Sequence, residues 1–118
     1  MPKVLGIGGV FVKSKDPEAL RAWYREMLGI DVKNWGAKFV NEAGSIGTWN
    51  PFALDTKKFE DREFMINLRV DDADALAAQL KERGANVLDD RRSQSEFGTF
   101  CYVVDPDGTL LELWSAAP

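Results

Sequence analysis

The hydrophobic and polar positions of this chain run through one pattern twice. Residues 5–13 alternate and are rich in β-formers, so they predict a strand. Asp16-Pro17 then predicts a helix start, with Asp as the N-cap and Pro at the first helical position. Leu20, Trp23, Tyr24, Met27 and Leu28 follow at helical spacing on one face, and Gly29 is a stop. Short strands are expected around 30–32, 38–41 and 45–52, with turns at 34–37 and 41–44.

The pattern restarts at 64–70, a second strand. Asp72 is a second N-cap, with Asp74 in the first turn where the helix dipole favours an acid. Ala73, Leu76, Ala77 and Leu80 form the apolar stripe, and Gly84 ends the helix. Strands fit near 86–88, 97–104 and 109–114, with Asp105-Pro106-Asp107-Gly108 as a tight turn. Laid over each other, D-P-E-A-L from Asp16 answers D-A-D-A-L from Asp72. Leu28-Gly29-Ile30-Asp31-Val32 answers Arg83-Gly84-Ala85-Asn86-Val87, and Gly44-Ser45-Ile46 answers Gly108-Thr109-Leu110. Matches in the same order point to a duplicated unit. The expected architecture is one α+β domain of two tandem βαβββ modules, about 4–54 and about 64–115, forming a curved mixed sheet around a cavity. The charged segment of about 55–63 is the expected linker.

Alternation also sorts the faces. In 64–70, Phe64, Ile66, Leu68 and Val70 lie on one side and Met65, Asn67 and Arg69 on the other. In the last strand Leu111 and Leu113 oppose Leu110, Glu112 and Trp114. Through the repeat, Gly9, Phe11 and Lys13 correspond to Met65, Asn67 and Arg69, while Thr48 and Asn50 correspond to Glu112 and Trp114. These positions make the expected cavity wall. It is partly apolar with a few polar groups, as small-molecule sites are. Asn67, Arg69 and Lys13 are the candidate partners of Glu112. Trp114 could stack on a planar ligand. Trp23 and Trp49 are expected in the core, Cys101 as a buried small residue, and Arg91-Arg92 as a solvated loop pair.

Composition narrows the chemistry. At 118 residues, 45% hydrophobic and 29% charged, the chain suits one domain with its own core. A net charge of -4 disfavours a phosphate backbone, so no nucleic-acid partner is expected. A single cysteine excludes an intrachain disulfide and suits a reducing compartment. No apolar run approaches the roughly 20 residues of a membrane span, and the N-terminus has no signal-like apolar stretch. The expectation is a cytoplasmic protein without membrane partners. There is no histidine, which removes His-based zinc sites and His-based acid–base catalysis.

G-I-G-G-V-F-V-K-S-K-D-P-E-A-L-R-A-W-Y-R-E-M-L-G resembles the opening strand and helix of the vicinal-oxygen-chelate (glyoxalase/bleomycin-resistance/dioxygenase) superfamily. F-M-I-N-L-R-V-D-D-A-D-A-L resembles the opening of its second module, and D-P-D-G-T-L-L-E-L-W its closing hairpin. The resemblance implies four metal-ligand positions, one on each of four strands, filled from His, Glu and Gln. The last corresponds to Glu112. The others fall at Gly9, about Thr48, and Met65, none of which is a usual ligand for a hard or borderline divalent ion. No metal or other cofactor is therefore expected. The resemblance implies a metal-independent small-molecule binder, working as a homodimer. The alternative is a glyoxalase-like lyase, isomerase or dioxygenase with an altered metal site, using Glu112 as its catalytic group.

Overall fold

The computed structural model describes all 118 residues. Both helices form where the caps place them. Helix α1 spans Pro17–Leu28, and the Asp16 side chain accepts from the Ala19 backbone N–H at 3.1 Å. Helix α2 spans Ala73–Glu82, and Asp72 accepts from Ala75 N–H at 3.0 Å. The two caps share one backbone geometry, with φ of -147° and -148°. Gly29 and Gly84 both turn the chain in the left-handed region that only glycine enters cheaply. The helix half of the repeated unit is thus built twice.

The sheet half is not. The sheet comprises β1 (Met65–Arg69), β2 (Asn86–Val87), β3 (Ser93–Ser95), β4 (Gly98–Val104) and β5 (Leu110–Ala116). Its order is β1-β5-β4-β2, with β3 also pairing to β4. β1 lies parallel to β5; the remaining pairs are antiparallel. A 3₁₀ turn, Asp89–Arg91, joins β2 to β3. The strands expected at 5–13, 30–32, 38–41 and 45–52 carry no ladder, and only the isolated Lys33–Gly36 bridge lies in that half. The tandem βαβββ expectation is corrected here: the sheet contains strands of the second unit alone. An alternating segment has the side chains of a strand, but it is stabilised only when a neighbour takes its backbone groups. Val4, Leu5, Ile7, Phe11, Ile46 and Trp49 consequently stand exposed, so Trp49 is not in the core. The radius of gyration, 14.9 Å, exceeds the roughly 13.5 Å typical of a compact chain this long.

The core lies between the sheet and α2. Ala73, Ala77 and Leu80 meet Cys101, Val103, Leu111 and Leu113, with Ile66, Leu68 and Val70 against them. Trp23, Tyr24, Met27 and Leu28 of α1 pack on the same cluster but stay partly exposed. One polar tie fixes α1. The Tyr24 hydroxyl donates to Asp105 Oδ2 at 2.6 Å, and Asp105 Oδ1 accepts from the N–H groups of Asp107 and Thr109. Asp105 therefore holds both the tight turn before β5 and the first helix. Burial and the adjacent carboxylate push the Tyr24 phenol well above its ordinary value.

Candidate functional site

With Ile66, Leu68, Cys101, Val103, Leu111 and Leu113 facing the helices, the pleat turns their neighbours to the opposite face. Register arranges that face in rows. Asn67 of β1, Glu112 of β5 and Tyr102 of β4 lie side by side across three strands. The next row is Arg69, Trp114 and Phe100. The row on the other side is Met65, Leu110 and Val104.

Glu112 is the centre. Its side chain is only 7% exposed. Asn67 Nδ2 donates to Oε1 at 2.8 Å, and the Tyr102 hydroxyl donates to Oε2. A buried carboxylate needs such donors, because an unpaired one costs several kcal/mol, on the order of its effective desolvation penalty. Tyr102 responds to the same arrangement: burial first, then the hydrogen bond to Glu112, push its phenol above the ordinary value.

The cation on Glu112 comes from the segment expected to be a linker. Lys58 Nζ lies 3.2 Å from Glu112 Oε2. That segment is held as a strap over the face. Arg62 Nε donates to the Gly108 carbonyl at 2.5 Å, and Arg91 Nη1 to the Lys58 carbonyl at 2.8 Å. Phe52 and Phe59 pack at 5.0 Å between ring centroids. Glu60 takes a left-handed φ of 58°, a costly conformation for a side-chain-bearing residue. Ion pairs from Arg62 and Arg91 converge on it there and hold its carboxyl below the usual range. Arg91 is accordingly no solvated loop residue, and Arg92 grips Asp74 with two hydrogen bonds.

Beside Glu112, Phe100 and Trp114 stack with centroids 6.3 Å apart and planes 9° from parallel. The indole Nε1–H donates to the Phe97 carbonyl at 2.8 Å, which fixes the ring's edge. The face thus offers an aromatic wall next to a buried acceptor, with exposed Arg69 in the same row.

Of the expected site residues, Met65, Asn67, Arg69, Glu112 and Trp114 share this face. Phe11, Thr48 and Asn50 do not join it. They are exposed, on segments outside the sheet. Lys13 lines an open surface hollow with Ser14, Lys15 and Asp107. The transfer of Phe11, Lys13, Thr48 and Asn50 onto the site assumed a second set of paired strands, which this fold lacks. Lys58, Tyr102 and Phe100 were missed. Tyr102 and Phe100 were findable, because they alternate with Cys101 and Val103 on a strand whose apolar face is clear. Lys58 carried no such signal.

The family's metal does not fit these residues. Around Glu112 stand an ammonium, a phenol O–H and an amide N–H₂, all donors. A cation placed there would face Lys58 instead of further ligands, and no three Asp, Glu or Cys side chains gather in a metal-holding group. Cys101 is buried, with its thiol against Asp74 and pushed up to about 11, which disfavours the reactive thiolate at neutral pH.

Residues 9–114 match the family described as "Glyoxalase-like domain". The chain belongs to that family, within the vicinal-oxygen-chelate superfamily. Among solved structures it is similar to TnmS3, an antibiotic binding protein from Streptomyces sp. CB03234. The TM-score is 0.59 at 27% identity, covering 97% of this chain and 100% of the other. It also resembles a glyoxalase/bleomycin resistance protein/dioxygenase superfamily member from Sphaerobacter thermophilus, with TM-score 0.54, 21% identity and coverage of 88% and 91%. Lactoylglutathione lyase from Agrobacterium tumefaciens shares the fold with TM-score 0.58 at 14% identity, over 97% and 96% of the two chains. No curated protein matches. No helix is long and apolar enough to cross a membrane.

Proposed function

We propose that this glyoxalase-like chain is a metal-independent binding protein for a small planar ligand. The observation that carries the reading is the state of Glu112. Both its oxygens are already satisfied by Asn67, Tyr102 and Lys58, so it is a buried recognition group and not one arm of a metal cage. The parallel Phe100–Trp114 pair beside it supplies a flat apolar surface, and aromatic faces favour flat partners. The similarity to an antibiotic-binding protein at 27% identity supports the same reading.

The reading includes a homodimer. β1 is an edge strand with one side unpaired, and apolar residues of the first half stand in solvent. Open edges and exposed apolar stretches are normally covered, and a second copy of the chain is the cover proposed. Light scattering at micromolar concentration should give twice the chain mass; a monomer mass overturns this part.

The test of binding is a thermal-shift screen of planar aromatic compounds, run beside metal analysis of protein purified without a His tag. The expected result is stabilisation by planar compounds, lost in Trp114→Ala, with no stoichiometric Mn, Fe, Ni or Zn retained after desalting. About one metal per chain, or turnover abolished by Glu112→Gln, would replace the binder with an enzyme.

A further inference from the structure

The Lys58 ammonium sits in a site better furnished than a surface ion pair needs. Beneath it is the buried Glu112 carboxylate at 3.2 Å. Two aromatic rings flank it, Phe52 with its centroid 5.8 Å away and Tyr102 at 5.9 Å. One carboxylate and two π faces within about 6 Å are the elements of an ammonium cage. Yet the Lys58 side chain is 38% exposed, so its four-carbon stem reaches the cage from solvent and can leave without unfolding the strap. The strap itself is pinned through its backbone at Lys58 and through Arg62, not through the ammonium.

We infer that Lys58 is an internal stand-in, and that the cage formed by Glu112, Tyr102 and Phe52 recognises a ligand carrying an ammonium group on a flat ring system. This rests on the binding reading above and names its ligand class. The stand-in explains how a carboxylate so deeply buried stays compensated when no ligand is bound. It also sets a threshold. A tethered ammonium competes at millimolar effective concentration, so weak amines are excluded and only a ligand that adds stacking on Trp114 displaces it. An anionic ligand would gain little here, because Glu112 already neutralises the one cation in contact with it.

The test uses benzylammonium, benzyl alcohol and phenylacetate as probes, followed by NMR amide shifts on the full chain. In Lys58→Ala, benzylammonium should bind at least tenfold more tightly than in the wild type. Shifts should centre on Tyr102, Glu112 and the Trp114 indole. Lys58→Met, which keeps an unbranched stem without the charge, should show the same gain. Lys58→Ala/Glu112→Gln should lose it, and benzyl alcohol should bind no variant at comparable concentration. Equal benzylammonium affinity in wild type and Lys58→Ala overturns the inference. So does phenylacetate binding that Lys58→Ala abolishes, which would make Lys58 itself the ligand-binding charge. If the planar screen succeeds while these ammonium tests fail, only the ligand class falls. If no planar compound of any charge binds, the binding reading falls with it.

Discussion

The Tyr102 hydroxyl and the Glu112 carboxylate are direct cross-strand partners on β4 and β5, joined by a hydrogen bond at the centre of the polar face. Removing the hydroxyl leaves Glu112 with Asn67 and Lys58 but takes away its most buried donor. Tyr102→Phe should therefore cost about 1.5–3 kcal/mol, the usual worth of a hydrogen bond to a charged group. Urea denaturation checks this: the midpoint falls while the slope holds. An unchanged midpoint would show that the bond is not formed in solution.

Tyr24 and Asp105 form the tie between the first helix and the rest of the fold. Helix α1 has no fully buried residue, so this bond matters more to it than to α2. Tyr24→Phe is expected to lower protection of the α1 amides in hydrogen exchange by about tenfold or more, equivalent to roughly 1.4 kcal/mol of local opening, with β4 less affected. Equal loss in α1 and β4 would mean that the helix opens only with the whole domain.

Two glycines separate backbone strain from steric collision. At Gly98, φ is 126° and an added Cβ would run into the Ser115 carbonyl and the Ala116 backbone. At Gly84, φ is 89° with open space around it. Gly84→Ala should cost about 1–2 kcal/mol for the left-handed backbone alone. Gly98→Ala should cost more than about 4 kcal/mol, because β5 must move. Comparable values for the two would contradict the close β4–β5 approach.

The Cys101 thiol gives the pH dependence a definite sign. Burial, then Asp74, raise it from 9.0 to about 11. Between those values the unfolded chain has released the proton and the folded chain retains it. The unfolded state then binds fewer protons, and stability falls as pH rises. The contribution is intact below about pH 9 and lost through about pH 11. Cys101→Ala should lessen the fall that begins near pH 9, while the raised Tyr24 and Tyr102 phenols keep a fall of the same sign above about pH 10. Iodoacetamide should leave the native thiol unreacted at pH 8 and label it in urea. Rapid native labelling at pH 8 would show the thiol to be exposed.

Local rules made much of this legible. Asp16 and Asp72 cap their helices because a short carboxylate can reach the N–H groups a helix start leaves free. Alternation in 64–70 and 109–114 separated the helix-packed side chains from Asn67 and Glu112, and the structure pairs those two. Lys58 was illegible. It stands in a charged stretch like any solvated loop, and only the folding-back of 52–62 over the sheet sets it on Glu112. Phe11, Thr48 and Asn50 failed for a related reason. The repeat supplied their side-chain pattern but could not supply the neighbouring strand.

By itself, then, the sequence determined what depends on residues a few positions apart: two capped helices, left-handed glycine turns, the faces of each strand, and the family resemblance. The tertiary structure decided which alternating segments became strands, which cation met the buried carboxylate, and that a linker became part of the site. The physical reason is range. Caps and pleats are set by the chain's immediate covalent neighbours, whereas a ladder or an ion pair requires a partner brought from far along the chain, as Lys58 and Glu112 are.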